Sequence, residues 1–323
     1  MDREQKEGNN LLRIATRGSA LALWQAHHVR DQLRQHHPRL QVELVVLKTT
    51  GDRILDRSLA AVGGKGLFTK ELEEALLDGR ADLAVHSMKD VPVELSDRFA
   101  LPVILEREDA RDALLSCHWS TLAQLPRGAR VGSSSLRRRG QLVRLRPDLQ
   151  VTLLRGNVDT RLRRLEEGHF DAIILAAAGL KRLGLTARMV DCFAVSDMLP
   201  AVGQGAIGIE TRAGDKATQH WLKPLHHEST GQRVTAERTL SQAMGGDCQV
   251  PVAGHAWFSV DHGMTLRGLI VDVHGHELIE AEATGRPDDP VALGQRVAAQ
   301  LDQQGARQLL QRLRADLHAN LSS

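Results

Sequence analysis

Apolar positions in the first ninety residues follow two alternating rhythms. LLRIAT (11–16) is an apolar run of strand length. From Ser19 the spacing changes. In SALALWQAHHVRDQLRQHH (19–37) apolar residues recur every three or four positions, which predicts a helix with Ser19 as N-cap. VELVVLKTT (42–50) reads as a buried strand. TKELEEALLDG (69–79) reads as a short helix with Thr69 as N-cap and Gly79 as terminator, and ADLAVH (81–86) as a further strand. Strand and helix in alternation predict a mostly parallel sheet.

The same alternation returns. ARVGSS (129–134), VTLLRG (151–156) and DAIILAAAGL (171–180) read as strands, with helices over LRRRGQLVRLR (136–146) and VDTRLRRLEEG (158–168) between them. AIGIETR (206–212) reads as a strand able to return to the first sheet. After residue 224 the pattern becomes a helix (230–244), the strand-like CQVPVAGHAWFSV (248–260), a hairpin (265–284) and one final helix (292–317). The expected organisation is α/β. One domain spans 1–105 with 200–223, a second spans 106–199, and a small α+β domain spans 224–323.

Composition narrows the function classes. A net charge of +2 over 323 residues is far from the footprint of a general nucleic-acid binder. Aromatics at 3%, with no Tyr, leave few platforms for stacking bases. Three cysteines and a polar opening, MDREQKEGNN, fit a chain kept in a reducing cytosol without a disulfide framework. AIILAAA (172–178) is too short to span a bilayer. The paired histidines at 27–28, 36–37 and 226–227 lack metal-ligand spacing with Cys or carboxylates, so no metal is expected.

Against this neutral background, RVGSSSLRRRGQLVRLR (130–146) concentrates arginine. Arg137 and Arg138 fall in the first turn of a predicted helix, and Arg161 in that of the next. Arg17 and Arg155 fall at strand ends. A helix N-terminus already carries partial positive charge, so arginines there call for an anion. The guanidinium fork reads carboxylate or phosphate bidentately, which Lys does not. Arg144, Arg146, Arg163 and Arg164 lie deeper in their helices and are expected on solvated faces with surface ion pairs.

Other stretches stay open on local grounds. In AVHSMKDVP (84–92), Asp90 suits either a turn that bonds its own backbone or a carboxylate set among cations. AVGGKGLFTKE (61–71) is a Gly-rich turn that does not match a phosphate loop. VGQGAIG (202–208) contains G-x-G-x-x-G, but a proline precedes it and a strand follows, which argues against dinucleotide binding. Cys248, between two glycines and Pro251, is either a buried thiol or an accessible one.

Taken in order, RIATRGSALALWQA, VGGKGLF, ADLAVHSMKDVP, SSLRR, LRGNVDTRL, DAIILAAAGLKRLG, LPAVGQGAIGIE and ERTLSQAMGGDCQVP resemble the porphobilinogen deaminase family from about residue 11 to past 300. The resemblance implies two periplasmic-binding-protein-like (type II) α/β domains plus a small α+β C-terminal domain. It implies head-to-tail condensation of four porphobilinogen molecules into hydroxymethylbilane with loss of ammonia. Cys248 would carry a dipyrromethane cofactor by a thioether, and Asp90 would be the catalytic aspartate. Ser87, Lys89, Asp90, Ser133, Ser135, Arg137, Arg138 and Gln204 would surround that cofactor. Arg17, Lys65, Phe68, Arg155, Asn157, Arg161 and Arg182 would bind substrate. The resemblance also implies a monomer.

This implied chemistry accounts for the arginines. Each porphobilinogen brings two carboxylates, so one cleft must neutralise a growing polyanion. Loss of ammonia leaves an electron-poor azafulvenium, which a fixed carboxylate at Asp90 would stabilise. Three residues depart from the family pattern. Asp247 stands beside the cysteine, where a small residue is usual, and a neighbouring carboxylate raises a thiol's pKa. Ala61 stands where Lys is common, and Ser133 where Thr is. Two rival functions are a non-enzymatic two-lobed anion-binding module, which needs neither Cys248 nor a third domain, and a nucleic-acid-binding regulator, for which no separate module is visible.

Overall fold

A computed structural model describes residues 10–53, 66–245 and 250–322, with side chains in the last helix as far as 316. Lys65, Ala61, Asp247 and Cys248 lie outside the described residues. The chain packs as two compact units, and among the described residues it passes between them at Arg107/Glu108, at Gly205/Ala206 and at Gly231/Gln232.

The first unit opens with β1 (Leu11–Arg17), α1 (Ala20–His36), β2 (Gln41–Leu47), α2 (Thr50–Arg53), α3 (Lys70–Leu77), β3 (Leu83–Ser87) and β4 (Phe99–Ile104). Ser19 caps α1 as its sequence predicts, its Oγ accepting from Ala22 N at 3.3 Å. Ala22, Gln25, Ala26, Val29 and Leu33 form the buried stripe of α1. Thr69 does not cap α3: its backbone is already in the helical region and its side chain makes no cap bond. Gly79 follows that helix at φ +75°, as a terminator should.

The second unit begins with β5 (Asp112–Leu115), β6 (Arg130–Gly132), α4 (Leu136–Leu145), β7 (Gln150–Thr152), α5 (Val158–Glu166), β8 (Ala172–Ala176), α6 (Ala177–Arg182) and β9 (Asp191–Cys192). The chain then returns to the first unit as β10 (Ile207–Arg212) and α7 (Lys216–Leu222). After α8 (Glu228–Ala243), the second unit is completed by β11 (Val252–Phe258), β12 (Met264–Val271), β13 (Leu278–Gly285), α9 (Pro290–Gln303) and α10 (Ala306–Ser322). The stretch read as one strand, 171–180, splits into β8 and α6. The stretch read as one final helix breaks at Gln304–Gly305, where Gly305 has φ +94°.

Two sheets share one spatial plan. The first runs β2-β1-β3-β10-β4 and the other β7-β6-β8-β5-β9. In each, the fourth strand is the first one after a crossover and lies antiparallel to the third. This is the type II arrangement of two-lobed periplasmic binding proteins, with AIGIETR returning to the first sheet. Pro102 sits on β4, an edge strand, where its missing N–H costs no ladder bond. The third sheet, β11-β12-β13, is an antiparallel meander packed on α9 and α10 around Leu240, Leu266, Ile270, Val297 and Leu301. It meets the second sheet's layer closely. A Cβ added to Gly140 of α4 would stand 2.3 Å from Asp272 O, so glycine there permits the contact.

Candidate functional site

In the first unit the candidate residues gather at the carboxyl ends of β1 and β3. The two strands are parallel neighbours with Ala15 level with Ala84, so Arg17, the last residue of β1, comes level with the end of β3. The Arg17 guanidinium lies over the Phe68 ring, its carbon 4.1 Å from the centroid. Ser87 closes β3, and its Oγ accepts from Gln25 Nε2 at 2.8 Å. With that lone pair taken, the hydroxyl keeps the capacity to donate to an acceptor.

Lys89 and Asp90 stand on one 3₁₀ turn, Met88–Asp90, and both are half-buried. Met88 anchors the turn. Its N–H donates to Ala206 O at 3.0 Å, its O accepts from Val91 N at 3.2 Å, and its side chain is 1% exposed. The sulfur fills the space above Gly208 of β10: a Cβ there would stand 2.1 Å from Met88 Sδ. The last glycine of VGQGAIG thus makes room for a side chain. Gly203 and Gly205 sit at positive φ in a turn that leads into a strand, which is no dinucleotide loop. One residue before Ser87, the buried His86 Nε2 and Glu210 Oε2 meet at 2.8 Å and tie β3 to β10.

In the second unit the candidates follow β6, β7 and β8. Ser133 N donates to Thr152 O at 3.0 Å, and Ser133 Oγ accepts from Ser135 N at 3.3 Å. Ser135 caps α4, accepting from Arg138 N at 3.4 Å. The two first-turn arginines are then folded inward. Arg138 donates Nε and Nη2 to Asp112 Oδ1 (3.0 and 2.7 Å) and Nη1 to Ile174 O (3.1 Å). Arg137 sets Nη2 2.8 Å from Asp112 Oδ2 and donates Nη1 to Leu199 O at 2.7 Å. Gln204 Nε2 joins the same carboxylate at 2.9 Å and reaches Ala110 O at 2.6 Å.

The anion that a helix start loaded with arginine demands is therefore a buried side chain of the protein itself. At Arg137 and Arg138 an anion of the protein itself thus stands against the helix start, while the buried Arg137 Nε makes no hydrogen bond. Burial pushes the Asp112 carboxyl up, but the two guanidiniums and the bonds from Arg138 and Gln204 outweigh it and hold it well below the usual carboxylate range. Asp112 escaped the sequence analysis, because nothing within a turn of it announces its partners.

Arg155, Arg161 and Arg182 differ from that pair in being half-buried. Asn157 caps α5, its Oδ1 accepting from Thr160 N at 2.9 Å, and Gly156 before it has φ +108°. Arg161 Nε donates to Gly156 O at 2.8 Å, which fixes the plane of its fork. Arg182 Nη2 donates to Gly205 O at 2.6 Å. Burial lowers the Arg182 pKa to about 10, partly offset by Glu108, so this cation gains from a carboxylate partner. Lys181, beside it, bridges Glu108 Oε1 and Asp109 Oδ2 at 3.2 Å each. Of the helix arginines expected on solvated faces, Arg144 and Arg164 are exposed and Arg163 pairs loosely with Glu167. Arg146 instead binds Asp148 and three carbonyls of residues 122, 123 and 125.

Among the described residues no helix is long and apolar enough to cross a membrane. The donors in the second unit fit carboxylate-bearing pyrroles: two hydroxyls at a helix start, two half-buried guanidinium forks near another, and a desolvated Arg182.

Comparison with known proteins gives this geometry a family. Residues 12–220 match the family model described as porphobilinogen deaminase, dipyromethane cofactor binding domain. Residues 231–303 match the porphobilinogen deaminase C-terminal domain. Porphobilinogen deaminase of Nitratidesulfovibrio vulgaris (strain Miyazaki F) is 56% identical over 302 residues, covering 92% of this chain and 95% of that protein. The Paraburkholderia phytofirmans protein of the same name is 53% identical over 305 residues, covering 94% and 89%. Among solved structures, the chain is similar to the methionine-binding protein MetQ (TM-score 0.45, 14% identity, 69% of this chain and 90% of that one). It is also similar to the aliphatic sulphonate binding protein SsuA of Escherichia coli (TM-score 0.40, 15% identity, 74% and 71%). From its matched domains and its relatives, this chain belongs to the porphobilinogen deaminase family, enzymes that condense porphobilinogen into hydroxymethylbilane with a dipyrromethane cofactor.

Proposed function

We propose that Asp90 is the catalytic carboxylate of this enzyme and that Cys248 anchors the dipyrromethane cofactor through a thioether. It works as a cytoplasmic monomer on porphobilinogen, with no nucleic acid or membrane partner. Residues 1–105 with 200–223, 106–199 and 224–323 act as its three domains. One observation supports the site assignment. Within each unit, the half-buried polar candidates stand at the carboxyl end of a strand or in the first turns after it: β1 and β3 in one, β6, β7 and β8 in the other. Open α/β sheets bind ligands at such ends.

The dipyrromethane, when bound, supplies the pyrrole to which substrate is joined. Ser87, Lys89, Ser133, Ser135 and Gln204 hold its polar edge, with Arg137 and Arg138 framing them from the buried side. Arg17, Lys65, Arg155, Arg161 and Arg182 take the acetate and propionate groups of porphobilinogen, Asn157 holds the start of α5, and Phe68 offers an apolar face. A charge-assisted hydrogen bond contributes roughly 1.5–3 kcal/mol, so a handful retain a growing polyanion. Asp90 holds negative charge where the substrate loses ammonia and becomes cationic, and it accepts the proton released when the new carbon–carbon bond forms.

Intact mass tests this proposal. The wild-type protein is expected to exceed its polypeptide mass by one dipyrromethane, and Cys248→Ser to fold without adduct or activity. Cys117→Ser and Cys192→Ser are expected to keep both. An active wild-type protein of bare polypeptide mass overturns the Cys248 assignment.

A further inference from the structure

We infer that Gly51 is a positioning residue for substrate binding: it seats the Phe68 ring on which the Arg17 guanidinium lies. This rests on the proposal that Arg17 binds a substrate carboxylate.

The seat is built from three hydrogen bonds. Gly51 N donates to Leu67 O at 2.8 Å, and Thr50 donates from N and Oγ1 to Glu71 Oε1 at 2.7 and 2.6 Å. They clamp α2 onto the residues that lead into α3. Gly51 is buried in that clamp. A Cβ added to it would stand 2.3 Å from Phe68 Cε1, 2.5 Å from Phe68 Cδ1 and 2.9 Å from Leu67 O. Its φ is not in the left-handed region, so space is what demands glycine here. The same ring carries the Arg17 guanidinium, 4.1 Å from its centroid.

Stacking engages the face of a guanidinium and directs its N–H donors outward in the ring plane, the plane in which a carboxylate is met. A ring held under Arg17 therefore orders the fork before substrate arrives, and binding loses less side-chain entropy. A methyl group at position 51 must push the ring aside. Arg17 keeps its charge but loses its platform. Binding weakens equally in the ground and transition states, because a carboxylate anchor makes the same contact in both. The loss then appears in KM and spares kcat.

The test uses the cofactor-loaded enzyme. Gly51→Ala is expected to raise the KM for porphobilinogen about tenfold, with kcat within about twofold. Phe68→Leu is expected to do the same. Adding Gly51→Ala to Phe68→Leu should change KM less than about twofold, since no ring remains to displace and the milder contact with Leu67 O does not touch Arg17. In ¹H–¹⁵N spectra the Arg17 Hε resonance, assigned by its loss in Arg17→Lys, should be shifted upfield by the ring and should move downfield in Gly51→Ala. Additive effects of the two substitutions on KM, or an unmoved Hε resonance in Gly51→Ala, overturn the inference. An unchanged KM in Arg17→Leu instead overturns the role given to Arg17, while the Hε resonance still decides whether Gly51 seats the ring. If Gly51→Ala does not fold, the double variant is expected to fold and bind like Phe68→Leu, and its failure to fold also overturns the inference.

Discussion

Asp112 and Arg138 meet in the interior of the second lobe, with Nη2 and Nε of the arginine 2.7 and 3.0 Å from one carboxylate oxygen and both side chains buried. Arg137 takes the other oxygen. Two guanidiniums thus share one carboxylate at the start of α4.

Removing that carboxylate leaves two buried cations facing a neutral amide. Asp112→Asn is expected to cost about 3–5 kcal/mol in unfolding free energy at pH 7. The sign of the pH dependence follows from the lowered Asp112 pKa. The group contributes stability fully above the ordinary carboxylate value of about 3.9 and loses it as pH falls through the lower folded value. Urea unfolding at pH 7, 4 and 3 should show the wild type losing more stability in acid than Asp112→Asn. Equal acid losses would count against an ionised Asp112.

Arg138 and Arg164 separate structure from surface charge. Arg138→Leu leaves Asp112 short of its main donor and should destabilise by about 3–5 kcal/mol while lowering activity. Arg164 is exposed on α5, and Arg164→Leu should stay within about 0.5 kcal/mol with near-normal kinetics. Denaturation curves and initial rates of the two variants, measured side by side, check this. Matching losses would contradict it.

Gly208→Ala should act on chemistry from a distance. The added methyl competes with Met88 Sδ, and Met88 pins the turn that presents Asp90. Misplacement of a reacting group by about 1 Å costs on the order of 10²-fold in rate. The expected result is a kcat lowered by at least about tenfold with a smaller change in KM. Combining it with Met88→Ala, which removes the clash, should relieve the loss of stability. Steady-state kinetics and thermal unfolding give both readouts.

Asp90→Asn keeps size and loses charge. If Asp90 balances a cationic substrate carbon, kcat should fall on the order of 10²- to 10³-fold. KM should be unchanged or lower, because the arginines are intact and one negative charge is gone. Asp90→Glu should retain more activity than Asn. A near-normal kcat with a raised KM would make Asp90 a binding or turn residue.

Much of the fold was legible in the sequence. Helix α1 with its Ser19 cap, the strands β1, β2 and β3, and the return of 206–212 to the first sheet follow from apolar spacing and cap chemistry. Other elements were not legible, among them α2, α7 and three strands. β5 and β9 are short, and β4, β5 and β9 are each held by antiparallel partners far along the chain. Within 171–180 the alanines suit helix as well as buried strand, and the break at Ala177 is set by its bond to Arg111 O. Thr69 looked like a cap because its residue type is right, but its backbone is already helical.

The sequence by itself determined which residues carry charge and which end of each strand they occupy, because periodicity and capping act within one or two turns. It placed arginines at 137 and 138 in a first helical turn and inferred that an anion must be near. Only the tertiary structure decided that this anion is Asp112, 26 residues away, with Gln204 arriving from 92 residues beyond it. The same holds for space. Nothing local to the glycines at 51 and 208 announces a neighbour, and it is folding that brings Phe68 and Met88 to fill the room they leave. Ion pairing in a buried site and close packing depend on distance in space, which local pattern does not encode.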